Sequence, residues 1–215
     1  MAAMIDHTLL KPEATADQVV ILCREAVAHG FASVCVNPYW VPISGAEVAG
    51  SAVKVCTVIG FPLGATSTRA KMAEAEIALR EGAAELDMVM NIGALRSGEL
   101  SAVETDIANI AILCHDAGAI VKTILETAYL DDEGKRLACK LARAAGADFV
   151  KTSTGFAATG ACAADVALMR DAVGPAMGVK ASGGIRTYED AMAMIEAGAN
   201  RIGASASVRI VEAAG

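Results

Sequence analysis

Seven times along the chain an alanine-rich segment ends at a glycine and soon gives way to a short apolar run. The glycines are Gly30, Gly50, Gly82, Gly118, Gly146, Gly174 and Gly198, ahead of "ASVCVN", "AVKVCTVI", "ELDMVMN", "IVKTILE", "DFVKTS", "MGVKAS" and "NRIGAS". Such a glycine suits the C′ position of a helix, where left-handed backbone costs glycine least. The opening run "MIDHTL" has no helix before it and brings the count of strands to eight. Successive glycines lie about 28 residues apart, room for one strand, one helix and two short loops, and this alternation implies a parallel sheet. The pattern predicts a closed (β/α)8 barrel. An open doubly wound sheet is the competitor, because counting strands does not establish closure.

The intervening segments carry helix signals. "TADQVVILCREAVAHG" opens on a Thr15 cap, "TSTRAKMAEAEIALREG" has 3.6-residue periodicity, and "TYEDAMAMIEAG" begins with the capping-box pattern Thr187 to Asp190. No linker or low-complexity tract interrupts them, so residues 1–215 read as a single catalytic domain, compact beside the ~250 residues typical of the fold.

Composition removes several classes of function. A hydrophobic content of 54% excludes disorder, and a net charge of -7 without a basic run argues against nucleic acid or an anionic membrane as partner. Cys23, Cys35, Cys56, Cys114, Cys139 and Cys162 are scattered without a C-x-x-C pair, which suits small buried hydrophobes in a reducing compartment better than disulfides or zinc. "MAAMIDHTLL" meets an acid and a histidine before a secretory apolar region can form, and no apolar run approaches the ~20 residues of a membrane span. A cytoplasmic location is expected.

In a barrel the C-terminal ends of the strands form the catalytic mouth. Those ends read Asp6, Asn37, Thr57, Asp87 with Asn91, Lys122 with Glu126, Lys151, Lys180, and Gly203 with Ser205. Ionisable groups in buried strands must pair or change their pKa. Lys122 and Glu126, an even number of residues apart, are expected to form a buried ion pair. Lys151 in "FVKTS" and Lys180 in "GVKAS" occupy matching places on adjacent strands. Like charge and desolvation both favour a neutral amine, which is what attack on a carbonyl requires, so the pair points to Schiff-base chemistry. The residues alone do not say which lysine is the nucleophile. Asp87 alternates with apolar Leu86 and Met88, so it should face the interior, either neutralising a lysine or shuttling protons with Lys180.

"SGGIR" at 182–186 and "GASAS" at 203–207 each lead into a helix. Glycines admit a ligand close to the backbone and helix starts favour anions, so Gly183, Gly184, Gly203 and Ser205 are candidates for binding phosphate, as is Gly155 in "STGF". His7, His29 and His115 are too dispersed for a metal motif, and no Walker or G-x-S-x-G run occurs. Neither a metal nor another cofactor is expected.

"IDHTLLKP", "VCVNP", "TVIGFPLGATSTRAK", "ELDMVMNIGAL", "VKTILE", "FVKTSTGF" and "VKASGGIRT" stand in order along essentially the whole chain. In this the chain resembles the 2-deoxyribose-5-phosphate aldolase family. The resemblance implies a class I, metal-free aldolase on a (β/α)8 barrel, acting on a sugar phosphate and aldehydes. It also implies that Lys151 forms the Schiff base, that Lys180 tunes it and relays protons, and that Asp87 assists. In the family's usual pattern two serines follow the last strand, whereas here Ala206 follows Ser205, so one phosphate contact is lost or passes to Ser207. A homo-oligomer, dimer or tetramer, is compatible with this reading. The alternatives are another Schiff-base aldolase of the transaldolase type, or a phosphate-sugar isomerase using Asp87 as base.

Overall fold

A computed structural model describes residues 1–214 of the chain. Eight parallel strands, β1 (Ile5–Leu9), β2 (Ser33–Val36), β3 (Lys54–Ile59), β4 (Glu85–Val89), β5 (Ile120–Ile124), β6 (Phe149–Lys151), β7 (Gly178–Ser182) and β8 (Arg201–Ala204), pair in sequence order. The ring closes where β8 pairs with β1, Gly203 opposite Asp6. Closure excludes the open doubly wound sheet.

Helices α1 (Ala16–His29), α2 (Val41–Glu47) and α3 (Thr68–Arg80) follow the first three strands, while α4 (Ile92–Arg96) and α5 (Leu100–Asp116) share the connection after β4. The last four strands are followed by α6 (Asp132–Ala144), α7 (Ala163–Val173), α8 (Tyr188–Glu196) and α9 (Ser207–Glu212). Thr15 and Thr187 close capping boxes with Gln18 and Asp190, and all seven glycines at the helix-to-strand junctions have positive φ. No helix among the described residues is long and apolar enough to cross a membrane.

The main apolar core lies between the sheet and the helices, where Leu86, Met88, Val121, Val150, Val179 and Ile202 pack outward. The barrel's interior is divided. A small apolar cluster of Leu10, Cys35, Cys56 and Val58 fills the β2–β3 side, and charged side chains fill the rest. At Gly178 an added Cβ would lie 2.1 Å from the Phe149 ring, so the aromatic occupies the space that a side chain there would need.

Candidate active site

Seven ionisable side chains from six strands meet inside the barrel. Lys151 and Lys180 are register partners, and their Nζ atoms donate to the same oxygen, Asp87 Oδ2, at 2.8 and 2.7 Å. Lys122 donates to Asp87 Oδ1 at 2.8 Å and lies 2.6 Å from Glu85 Oε2. Asp6 Oδ2 pairs with Lys180, while Asp6 Oδ1 accepts from Arg201 (2.6 Å) and from the Ser33 hydroxyl (2.7 Å). Arg201 also reaches Glu85 at 3.0 Å. Lys122, Lys180, Asp6 and Asp87 are fully buried and Lys151 is 2% exposed.

Four basic side chains face three carboxyls inside the barrel. Burial alone would raise the carboxyl of Asp87, but Lys122, Lys151 and Lys180 outweigh it and hold the group well below the usual carboxylate range. Asp6 is likewise lowered against its burial by Lys180, Lys122 and Arg201. Burial would lower Lys180, yet Asp6 and then Asp87 raise it above the ordinary lysine value. Lys180 is therefore a fixed cation, not half of an unrelieved pair of like charges.

Depressed carboxyls contribute stability that is complete above the unfolded value near 3.9 and is lost as pH falls through the lower folded value. Asp6→Asn leaves Lys180 and Arg201 short of a counter-charge, and should cost about 3–5 kcal/mol at neutral pH. The difference in stability between wild type and variant should be full above about pH 4 and close below it. Thermal melts of both proteins at pH 7 and at pH 2.5 check this, and a gap independent of pH would assign the loss to packing.

The structure corrects several expectations. Asp6, Asp87, Lys122 and Lys180 lie within their strands rather than at their ends. Strand stagger explains this, since one layer of a tilted barrel cuts each strand at a different height. Lys122 is in a buried ion pair, but its partners are Glu85 and Asp87. Glu126 instead accepts from Thr154. Asn37 donates to the Leu10 carbonyl, Thr57 donates to the Val36 carbonyl, and Asn91 caps α4, so all three serve the scaffold. Glu85 and Arg201 escaped the sequence pattern, although each lies two residues from a recognised position, Asp87 and Gly203, and so shares its face.

Above this cluster opens a cavity of about 390 Å³. Gly155, Gly183, Gly184, Gly203 and Ser205 all line it, and Arg186 and Lys11 stand at the same opening. Of Lys151, Lys180 and Asp87, only Lys151 lines the cavity, and the other two lie beneath it. Gly203 has a second task, because a Cβ there would come within 3.1 Å of Lys180 Cε. Ser207 is buried, donates to the Ala204 carbonyl at 2.8 Å and does not line the cavity. Ala206 lines a separate cavity with His7 and Arg209.

A closed (β/α)8 barrel whose buried lysine cluster opens at Lys151 on a glycine-rich cavity has the build of a barrel enzyme. Comparison with known proteins gives the family. Residues 1–211 match the DeoC/LacD family aldolase model. The chain is 58% identical over 216 residues to the deoxyribose-phosphate aldolase of Thermococcus gammatolerans, covering 100% of this chain and 96% of that one. It is 58% identical over 214 residues to the deoxyribose-phosphate aldolase of Brevibacillus brevis, with the same coverage. The tetrameric deoxyribose phosphate aldolase structure from Aeropyrum pernix superposes with a TM-score of 0.92 at 40% identity, covering 99% of this chain and 89% of that one. The chain belongs to the DeoC/LacD aldolase family.

Proposed function

We propose that residues 1–215 act as one catalytic unit that cleaves 2-deoxy-D-ribose 5-phosphate reversibly to D-glyceraldehyde 3-phosphate and acetaldehyde through an imine on Lys151. The observation that carries this is the position of Lys151, the one member of the buried lysine cluster that opens on the cavity. Neutral Lys151 adds to the C1 carbonyl of the open-chain sugar, and loss of water from the carbinolamine gives the iminium. The C3 hydroxyl gives up its proton, the C2–C3 bond breaks, and its electron pair moves onto the nitrogen as an enamine. Glyceraldehyde 3-phosphate leaves. A proton returned to C2 and hydrolysis then release acetaldehyde and the amine.

Asp87 touches both Lys151 and Lys180, so protons can pass between the two nitrogens through one carboxylate. Held low by three ammonium groups, Asp87 is a poor lone base, which weighs against the isomerase alternative. The imine serves as the electron sink, so no step needs a metal. A cytoplasmic site of action is supported by five buried unpaired thiols, and a homo-oligomeric state, dimer or tetramer, by the tetrameric relative. Borohydride reduction in the presence of acetaldehyde, followed by peptide mass mapping, tests the reading. The label should fall on Lys151, and a label on Lys122 or Lys180 rejects it.

Phosphate is held by backbone N–H groups of Gly155, Gly183, Gly184 and Gly203 and by the exposed hydroxyl of Ser205. At Gly184 φ is 82° and an added Cβ meets no protein atom, so a side chain there strains the loop and crowds the ligand rather than the core. Gly184→Val should raise KM for the phosphorylated sugar by at least about tenfold more than for plain deoxyribose, the worth of a charge-assisted hydrogen bond or two. Steady-state kinetics with both sugars decide. Equal losses would mean that the loop only supports the barrel.

A further inference from the structure

Glu126, just after β5, is used by no step above and is the one non-glycine residue with positive φ among the described residues, at 53°. Left-handed backbone strains a residue that has a Cβ, and it persists only where the surroundings over-determine it. Both neighbours are tied to the nucleophile's strand: the Leu125 N–H donates to the Lys151 carbonyl at 2.9 Å and the Thr127 N–H to the Thr152 carbonyl at 3.0 Å. Between them the Glu126 side chain is buried, and no cation pairs with it among the described residues. Its Oε2 accepts both the N–H of Thr154, at 3.2 Å, and the Thr154 hydroxyl, while Oε1 has no partner.

The hydroxyl of Thr154 is thereby fixed. It has one hydrogen, directed to Glu126, and its oxygen accepts the N–H of Phe156 at 3.0 Å. Thr154, Gly155 and Phe156 line the same cavity as Lys151, and Phe156 packs edge-on against Phe61 with ring centroids 5.3 Å apart. The scaffold gains little from this arrangement. Glycine would relieve the strain, and an apolar side chain would avoid burying an oxygen without a partner. Strain and burial together buttress the Thr154–Phe156 segment, which walls the cavity beside Lys151.

We propose that Glu126 is a positioning residue for the aldol reaction, which fixes Thr154 and through it the Gly155–Phe156 wall against which the sugar chain is held. The inference rests on the proposed function. Glu126→Gly should still fold, because relief of the strain offsets part of the cost of leaving the Thr154 N–H and hydroxyl without their acceptor, yet KM for 2-deoxyribose 5-phosphate should rise by about tenfold while kcat changes less. Borohydride trapping of acetaldehyde on Lys151 should be unchanged, since a two-carbon aldehyde needs no wall. Glu126→Gln, which keeps an acceptor oxygen for Thr154, should restore KM to within a few-fold. In a Thr154→Val background, itself raised in KM, Glu126→Gly should add nothing further.

A wild-type KM in the glycine variant overturns the proposal, as does a penalty that adds in full to that of Thr154→Val. A glutamine variant no better than the glycine one does so as well. Absence of any label on Lys151 in the wild type would instead reject the aldolase mechanism itself.

Discussion

Lys151→Ala should lower turnover of 2-deoxyribose 5-phosphate by roughly four orders of magnitude or more and abolish borohydride trapping, because Lys151 is the one amine of the buried cluster that opens on the cavity. Lys122 and Lys180 are the only competing amines in the cluster, and both are fully buried behind Asp87. The variant should remain folded. Three basic groups would then face three carboxyls, so the interior of the variant has matched numbers of the two. Kinetics, mass mapping and a melt on one preparation settle the matter. A stable variant that still traps acetaldehyde would place the chemistry elsewhere.

Lys180→Leu should cut activity at neutral pH by about two to three orders of magnitude, within the range of an acid–base group. Lys180 is a permanent cation that shares Asp87 with Lys151. Without it Asp87 binds only Lys151 and Lys122, holds the protonated nucleophile more tightly, and leaves less neutral amine at pH 7. Activity should therefore recover in part as pH rises toward the ~10.4 of a free lysine if charge is the whole contribution. A flat, uniformly low pH profile would assign Lys180 a proton-relay role as well. Near-normal activity at pH 7 would remove it from the mechanism.

The barrel was legible because its repeat is written twice, in apolar strand runs and in a glycine ahead of seven of them. The lysines were legible for a similar reason: a charged residue in a strand as apolar as "FVK" or "GVK" has to be accounted for. What the sequence hid was pairing across the interior. Arg201 meets Asp6 and Glu85, which lie 195 and 116 positions away, and no local spacing carries that information. Parity misled at Glu126, where the left-handed backbone after β5 breaks the alternation that would have aimed it at Lys122. Nor does local spacing show that the turn into α9 directs the Ser207 hydroxyl back to the Ala204 carbonyl.

The bridge from Asp6 to Arg201 joins the first strand to the last, and this bears on how the chain is made. Asp6 is synthesised 195 residues ahead of Arg201, so while the strands between them are made the first strand lacks both its guanidinium partner and its neighbour β8. An incomplete barrel would have to bury Asp6, Lys122 and Glu85 with their charges only partly matched, which is costly enough to keep it open to water. Contacts of such long sequence separation also close slowly. The nascent polypeptide thus waits, unclosed, until β8 has emerged. Truncation just before β8 should yield a species recognised by chaperones and proteases rather than a seven-eighths enzyme.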